Sequence, residues 1–539
     1  MAPPRRRRPD LPGVDRTDRA RGPAVTSEDV GARRRTGRRR GRSAPAGAPA
    51  QPPWRQPRRS FAPVRAVSDD QLDAIHDAAL RVLAETGLDF LHPRARELWA
   101  DAGAEVDGER VRLDGDLVMQ LVGHAPATFT LHAPDPRHDL QIGGDAIAFT
   151  AVASAPYVGD EVGGRRQGNA RDYTDLVRLS QHLSAVHLHG GYPVEPVDWH
   201  PSVRHLHATR TLLTASDKVP HVYSLGAQRN RDCLEMVRIV RRVDHTTLDA
   251  QPSVHTVINA SSPLRYDTPM LEGVMEYAAR NQVVIITPFT LAGAMAPVTI
   301  AGALVQQHAE ALAGIAFAQL VRPGAPVVYG GFTSNVDMQS GSPAFGTPEF
   351  MQAALVGGQL ARRLSVPYRS SNVCTANAVD AQAAYESVFS LWGAVMGGAN
   401  IVLHGAGWME GGLRASFEKM VVDADLLHMV AAFLDPLVVD DAALAVDAIA
   451  AVGPGGHFFG VEHTQARFRD AFFRPAISDW RNFEAWTEVG SPTALDHARR
   501  RVRELLDAYE PPPVSPEVVA ELDDFVARRV AEGGVATDF

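Results

Sequence analysis

Apolar positions along this chain change their period several times, and the changes divide it into regions. Residues 1–60 show no periodicity at all. From residue 68, Leu72, Ile75, Ala79, Leu80 and Leu83 recur at helical spacing behind Ser68-Asp69-Asp70-Gln71. That tetrapeptide is a capping-box pattern, in which a serine hydroxyl and a glutamine side chain each bond a backbone N–H at the helix start. A second helix is predicted over 93–102, and residues 104–113 alternate around Asp107-Gly108 as a hairpin does. Residues 64–145 therefore predict a small α+β extension.

Beyond it, short apolar runs rich in β-branched residues occur at 147–153, 186–190, 220–225, 254–260, 283–289, 326–332, 366–372 and 400–405. Helical patterns separate them at 171–185, 200–216, 229–245, 267–281, 298–321, 347–364 and 380–399, and another follows at 414–433. Strands apolar on both faces with helices between them indicate a parallel sheet covered by helices. Eight such units predict an α/β fold of the (β/α)8 TIM-barrel class over 146–435. The nearest approach to a phosphate-binding turn, Gly159-Asp160-Glu161-Val162-Gly163-Gly164, carries two acids and opens no helix, which argues against a nucleotide site. Residues 436–535 read as a C-terminal helical region packed on the barrel, with helices at 496–509 and 516–532 split by Glu510-Pro511-Pro512-Pro513.

Composition adds a polarity that the mean conceals. The 539 residues are 45% apolar and 22% charged, an ordinary globular balance with net charge −9. Residues 1–60 hold 17 Arg against 5 acids, so the rest of the chain is near −21. With 10 of the 38 Pro and few apolar residues, residues 1–63 are expected to form a disordered tail. Such a tail attracts nucleic acid in principle, but 52 of the 54 cations here are Arg, so Arg richness carries little information and a nucleic-acid partner is not expected. Two cysteines, Cys233 and Cys374, exclude a disulfide framework and a Cys-rich zinc module. No apolar run reaches 18 residues, so the expectation is a cytoplasmic protein without a membrane span.

In a barrel of this class the chemistry sits where strands end and βα loops begin. Those positions hold Asn259, Phe332, Asp337, Tyr368, Arg369, Cys374, His404, Trp408 and Glu410, in loops rich in Gly, with Glu386 in the opening turns of the following helix. Aromatic faces with isolated carboxylates suit a cation that has no N–H to donate, such as a quaternary ammonium. Arg369 and Arg265 are candidates to anchor a substrate carboxylate. His187 and His189, two apart on one strand, could ligate one metal, but strands four to seven end without His and strand eight offers only His404 with no Asp beside it, so no metal site is expected. Cys374 has no His or Lys beside it in sequence and reads as a wall residue.

Several segments together carry a resemblance. Gly330-Gly331-Phe332 through Asp337-Met338-Gln339-Ser340-Gly341 to Gly346-Thr347-Pro348-Glu349 resembles the D-M-x-[ST]-G…G-x-P-E signature of the trimethylamine methyltransferase family. Asp380-x-Gln382-Ala383-x-Tyr385-Glu386 is similar to its D-x-Q-A-x-x-E segment, and Leu403 to Leu413, His463-Thr464 and Trp486-x-x-x-Gly490 match further. The similarity runs from about residue 65 to 532. It implies a barrel enzyme that passes a methyl group from a methylated amine to the cobalt of a separate corrinoid (cobalamin) protein, with no cofactor bound by this chain itself. Archaeal members acting on trimethylamine carry pyrrolysine after the seventh strand. Here that stretch is Cys374-Thr375-Ala376-Asn377-Ala378-Val379, so the chain resembles the non-pyrrolysine, glycine-betaine-methyltransferase-like members.

The expectations that follow are catalytic roles for Asp337, Glu386, His404 and Glu410 and substrate contacts from Trp408, Phe332, Tyr368, Asn259 and Arg369. The competing readings are a metal-dependent barrel hydrolase built on His187 and His189, and a non-catalytic binding barrel. Assembly into a homo-oligomer is left open.

Overall fold

The computed structural model describes residues 50–160 and 164–537. The disorder expected for the Arg-rich segment falls mostly outside these residues, but its last part, 50–63, is built into the body rather than hanging from it. Ile147 N donates to Pro57 O (3.0 Å) and Arg59 N to Asp145 O (2.9 Å). The Arg59 side chain is buried, with guanidinium bonds to Ala399 O and Gly144 O. An extended, Pro-rich strip needs no periodicity of its own when its polar groups find partners on another element.

The core is a parallel six-stranded sheet in the order Ala148–Ala151, Ile401–Ala406, Tyr368–Ser371, Val327–Gly330, Val283–Ile286 and His255–Ile258. Helices flank it, each beginning or ending within a few residues of its expected position. The runs at 186–190 and 220–225 form no strand ladder. They contribute single parallel bridges, Thr150 to Leu188, Leu188 to Val219 and His221 to His255, which lead from one edge strand of the sheet to the other. Pro220 brings no N–H to a ladder, and His189 bonds the Ser216 hydroxyl (2.7 Å). The architecture is thus an α/β fold with a distorted, TIM-barrel-like core.

Alternation along the strands turns Ala148, Val283, Ile285, Val328, Ile401 and Leu403 to one side, where they share a buried cluster with Leu188 and Val219. Leu131, Ala133, Leu140 and Ile142 complete that cluster. Three of them belong to the antiparallel hairpin Thr128–Leu131 with Leu140–Gly143, and Ala133 lies in the connection between its strands. The hairpin sits at the N-terminal ends of the strands, where His132 N donates to Pro252 O and Asp135 N to Asp217 O. It closes the floor of the core.

The predicted capping box forms, with Ser68 and Gln71 bonding each other's backbone N–H. The hairpin Glu105–Asp107 with Arg110–Arg112 stands as expected. The terminal helices Ala494–Asp507 and Pro516–Ala531 pack on the outer helices of the body. Residues 435–493 depart from the expected packing: their helices, Asp441–Leu444, Val446–Val452, Glu462–Gln465 and Phe483–Glu488, contain no buried residue. Among the described residues, no helix is long and apolar enough to cross a membrane.

Candidate active site

The strand Ile401–Ala406 is irregular where it matters. Its pairing with Ala148–Ala151 shifts register between Val402 and Ala406, and His404 inside the irregularity adopts φ 56°. A bulge re-aims the side chain it contains, and a left-handed backbone at a non-glycine residue persists only where the surroundings hold it. Here the imidazole stacks on Trp408, with centroids 5.0 Å apart and planes at 18°. Trp408 is presented by a small antiparallel pairing with Ala415. Gly412, at φ 99°, makes room for it, because a Cβ there would lie 2.5 Å from Trp408 Cζ2.

Phe332 opens the strand Phe332–Val336, which pairs in parallel with Phe289–Ala292 as a second tier above the sheet. Its ring lies 6.0 Å from His404, 6.3 Å from Trp408 and 5.6 Å from Phe345, and Phe345 is 5.4 Å from Trp408. Four rings from four separate segments therefore meet beyond the C-terminal ends of the strands.

Beneath them is a cation. Alternation along Tyr368–Ser371 sends Tyr368 outward, where its hydroxyl donates to Ala354 O (2.9 Å), and Arg369 inward. The Arg369 guanidinium lies 5.1 Å over the Phe332 ring and donates from Nη1 to Gly331 O (3.3 Å). Its Nε is buried without a partner. Among the described residues no carboxylate stands within ion-pair distance of it, and burial pushes its pKa down to about 9. Burial first, and the Arg369 charge second, hold His404 well below the usual histidine range, so its imidazole is neutral. His404 Nδ1 is also buried and unpartnered.

The predicted carboxylates are occupied elsewhere. Glu386 is buried and pins the loop after the Tyr368–Ser371 strand, accepting from Thr375 N (2.7 Å), Ala376 N (3.0 Å) and Gln382 Nε2 (2.8 Å). Glu410 is ion-paired with Arg414 (2.9 Å) and Arg165 (3.3 Å). Asp337 caps an exposed turn, accepting from Gln339 N, Ser340 N and Ser340 Oγ, and these bonds hold its carboxyl below the usual range. Asn259 is exposed at a strand end and Tyr368 faces the helix Pro348–Arg363. The geometry thus gathers Phe332, Arg369, His404 and Trp408, leaves Glu386 and Glu410 as supports of the surrounding loops, and sets Asp337, Asn259 and Tyr368 apart. Phe345 was missed, although it sits inside the Gly330 to Glu349 signature. Lys419 was missed too: it is buried in an ion pair with Asp423, whose other oxygen accepts from Gly407 N (2.9 Å) beside Trp408.

The histidines proposed for a metal do not converge. Phe149 N donates to His187 Nδ1 (3.0 Å), which leaves Nε2 to donate to Arg55 O (2.9 Å). Burial pushes both His187 and His189 down to about 3. Among the described residues no three His, Cys, Asp or Glu side chains are placed to hold a metal ion, which removes the geometric basis of the hydrolase reading. Cys374 is buried and its thiol is pushed up to about 12, in keeping with a wall residue.

Parallel strands with aromatic rings clustered at their C-terminal ends, over a buried cation that has no carboxylate partner among the described residues, define an α/β fold with a candidate site of mixed polarity. The particular family follows from comparison: a family model described as trimethylamine methyltransferase (MTTB) matches residues 32–534, and the chain belongs to that family. It is an enzyme, a methyltransferase of methylated amines. The match begins well before residue 65, inside the segment whose composition suggested a tail. The chain is 36% identical over 469 residues to a glycine betaine methyltransferase of Desulfitobacterium hafniense, covering 87% of this chain and 98% of that protein. It is 28% identical over 479 residues to a trimethylamine methyltransferase MttB of the same species, covering 87% and 95%. Among solved structures it is similar to the Methanosarcina barkeri monomethylamine methyltransferase (MtmB), at TM-score 0.43 and 12% identity over 81% of this chain and 94% of that one.

Proposed function

We propose that this methyltransferase takes a methyl group from a quaternary amine bearing a carboxylate, glycine betaine or a close analogue, and passes it to the Co(I) of a corrinoid carried by a separate protein. The observation that carries the reading is Arg369, a buried guanidinium with no carboxylate beside it among the described residues, lying against Phe332, whose ring is 6.3 Å from Trp408. An uncompensated buried charge is costly, and a substrate carboxylate offsets that cost. The aromatic faces then receive the methylated ammonium end by cation–π attraction, worth roughly 0.5–2 kcal/mol per contact. Trimethylamine has no group for Arg369. The relative named for glycine betaine also shares the greater identity among those given above.

The chemistry asks little of the protein's acids and bases. When the N–CH3 bond breaks, its electron pair stays on nitrogen and a neutral tertiary amine departs, so no proton has to be supplied. A neutral His404 fits that demand. This chain's residues hold the carboxylate, orient the ammonium and exclude water. The partner's corrinoid supplies the nucleophile that accepts the methyl group. The loops around the mouth support its approach, since Gly341 and Gly411 present little bulk and Met338 and Leu413 expose apolar side chains there. We also read the core as a complete eight-stave barrel, its gap spanned by residues 187–189 and 219–221. Buried, unpaired Cys233 and Cys374 accord with a reducing cytoplasmic compartment.

The test is incubation with Co(I) cobalamin, free or on a corrinoid protein, and a panel of amines. Glycine betaine is expected to yield methylated corrinoid, with choline and trimethylamine far behind. No methylation from any tertiary or quaternary amine overturns the proposal.

A further inference from the structure

The Phe332 ring stands in contact with Arg369, His404, Trp408 and Phe345, and its place is set by one side chain of an outer helix. The chain changes level just before it. Val327–Gly330 pairs within the six-stranded sheet and Phe332–Val336 within the tier above, and Gly331 is the step between them, its N–H bonded to Arg369 O (2.9 Å). Gln307, buried on the helix Ile300–Val321, holds both sides of that step. Its Oε1 accepts from Phe332 N (3.3 Å) and Thr333 Oγ1 (2.7 Å), and its Nε2 donates to the Tyr329 hydroxyl (3.3 Å).

The bonds run in one direction, and a backbone group fixes it. A backbone N–H can only donate, so the Gln307 oxygen faces Phe332 and its NH2 faces Tyr329. The Tyr329 hydroxyl, accepting from Gln307, gives its own proton to His308 Nδ1 (3.1 Å), which leaves His308 Nε2 to donate to His76 Nδ1 (2.9 Å). On the other side the Thr333 hydroxyl, having donated to Gln307, accepts from Thr290 in the paired strand Phe289–Ala292. Gln307, His308, Tyr329, Thr290 and Thr333 are each at most 1% exposed, so water does not compete for their bonds. A buried network whose members are all served holds one arrangement.

A glutamine that served only its own helix would bond that helix. Gln307 bonds instead to residues 329, 332 and 333, which flank the step. Attraction of an ammonium to a ring depends on its place over the ring face, and a misplacement of about 1 Å can cost roughly 100-fold in rate. We propose that Gln307 is a positioning residue of the methyl transfer, clamping the step between the two tiers so that the Phe332 ring is fixed over Arg369 and toward the methylated ammonium. The proposal rests on the reading that Phe332 meets that ammonium.

The test compares Gln307→Met, similar in length, with Gln307→Glu, which keeps an acceptor for Phe332 N. Activity is measured with whichever methylated amine of the panel above reacts fastest, so the outcome does not hang on glycine betaine. Gln307→Met is expected to lower kcat/KM roughly 10- to 100-fold with the circular dichroism retained, and Gln307→Glu to stay within about threefold of wild type. In a Phe332→Leu background Gln307→Met should cost less than about twofold more, because residues acting through one contact are not additive. A second measurement needs neither substrate nor those variants. Para-fluorophenylalanine placed at position 332 is followed by fluorine NMR, and Tyr329→Phe, which removes the hydroxyl on the far side of the step, should shift or broaden its resonance. A label at Phe317, on the same helix as Gln307, should stay in place. Undiminished kcat/KM in Gln307→Met, a loss just as large in the Phe332→Leu background, or a resonance at position 332 unmoved by Tyr329→Phe overturns the inference. Absence of turnover with every amine overturns the proposed function instead, and the resonance then decides the role of Gln307.

Discussion

Arg369 shows what a single residue contributes and how far it was legible. Its position at the end of a predicted strand marked it as a candidate, but only the fold shows that no carboxylate among the described residues attends it. A charge-assisted, buried carboxylate contact is worth about 2–3 kcal/mol, and about 1.4 kcal/mol is tenfold in an equilibrium constant. Arg369→Met is therefore expected to raise KM for glycine betaine by roughly 30- to 150-fold with a smaller fall in kcat, while leaving the weak reaction with choline unchanged. Steady-state kinetics with both amines checks this, and equal losses on the two would argue against a carboxylate anchor. The same scale explains the misplaced residues. Asp337, Asn259 and Tyr368 sit at the right chain positions, yet the direction of a side chain depends on strand parity and turn geometry. Asp337 is consumed by its own turn, and Tyr368 is one residue out of phase with Arg369. Phe345 escaped notice because it lies in the short extended stretch after the Pro343–Ala344 strand, where no period marks it.

At the scale of elements, long periodic segments were the most legible. The helices expected over 298–321 and 347–364 appear as Ile300–Val321 and Pro348–Arg363. The runs at 186–190 and 220–225 look as apolar as the others, but their side-chain bonds and Pro220 leave only bridges. The helix Phe417–Phe433 carries something its pattern concealed. Lys419 and Asp423, four apart, resemble a surface pair, yet both are fully enclosed, and Lys419 Nζ also bonds Ser387 Oγ (2.7 Å). Three segments meet at this pair: the helix itself, the helix Ala381–Gly397, and the Gly407 N–H that leads into Trp408. Asp423→Ala strands a buried ammonium and is expected to cost about 3–5 kcal/mol, seen as a lower denaturant midpoint, with a fall in kcat as Trp408 loses its fixed loop. Replacing both partners, Lys419→Met with Asp423→Leu, should return most of the stability and little of the activity.

For the whole molecule, the interior histidines tie stability to pH. Burial holds His187 and His189 at about 3 and His255 at about 4, against about 6.5 in an unfolded chain. Between pH 6.5 and 4 the unfolded chain thus binds more protons than the folded one, and stability falls as pH falls. Moving to pH 5 should remove about 2 kcal/mol per histidine, roughly 6 kcal/mol in all, read as a drop in urea midpoint relative to pH 7.5. The charge split of the sequence also acquires a boundary. A chain starting at residue 47 is expected to keep its activity and melting temperature, whereas one starting at residue 61 loses Trp54 and Arg59 from the base of the core and about 3 kcal/mol or more with them. Composition placed the tail's end near residue 63 because it registers solubility rather than docking.

The hairpin Thr128–Leu131 with Leu140–Gly143 has a bearing on kinetics. The hairpin's apolar side chains pack into the core at the N-terminal ends of the strands, so on the reading proposed above the amine and the protein-borne methyl acceptor are expected to approach from the same, C-terminal side. Shared access of that kind predicts an ordered sequence, in which the amine enters before the acceptor seats and the demethylated amine leaves after the acceptor has gone.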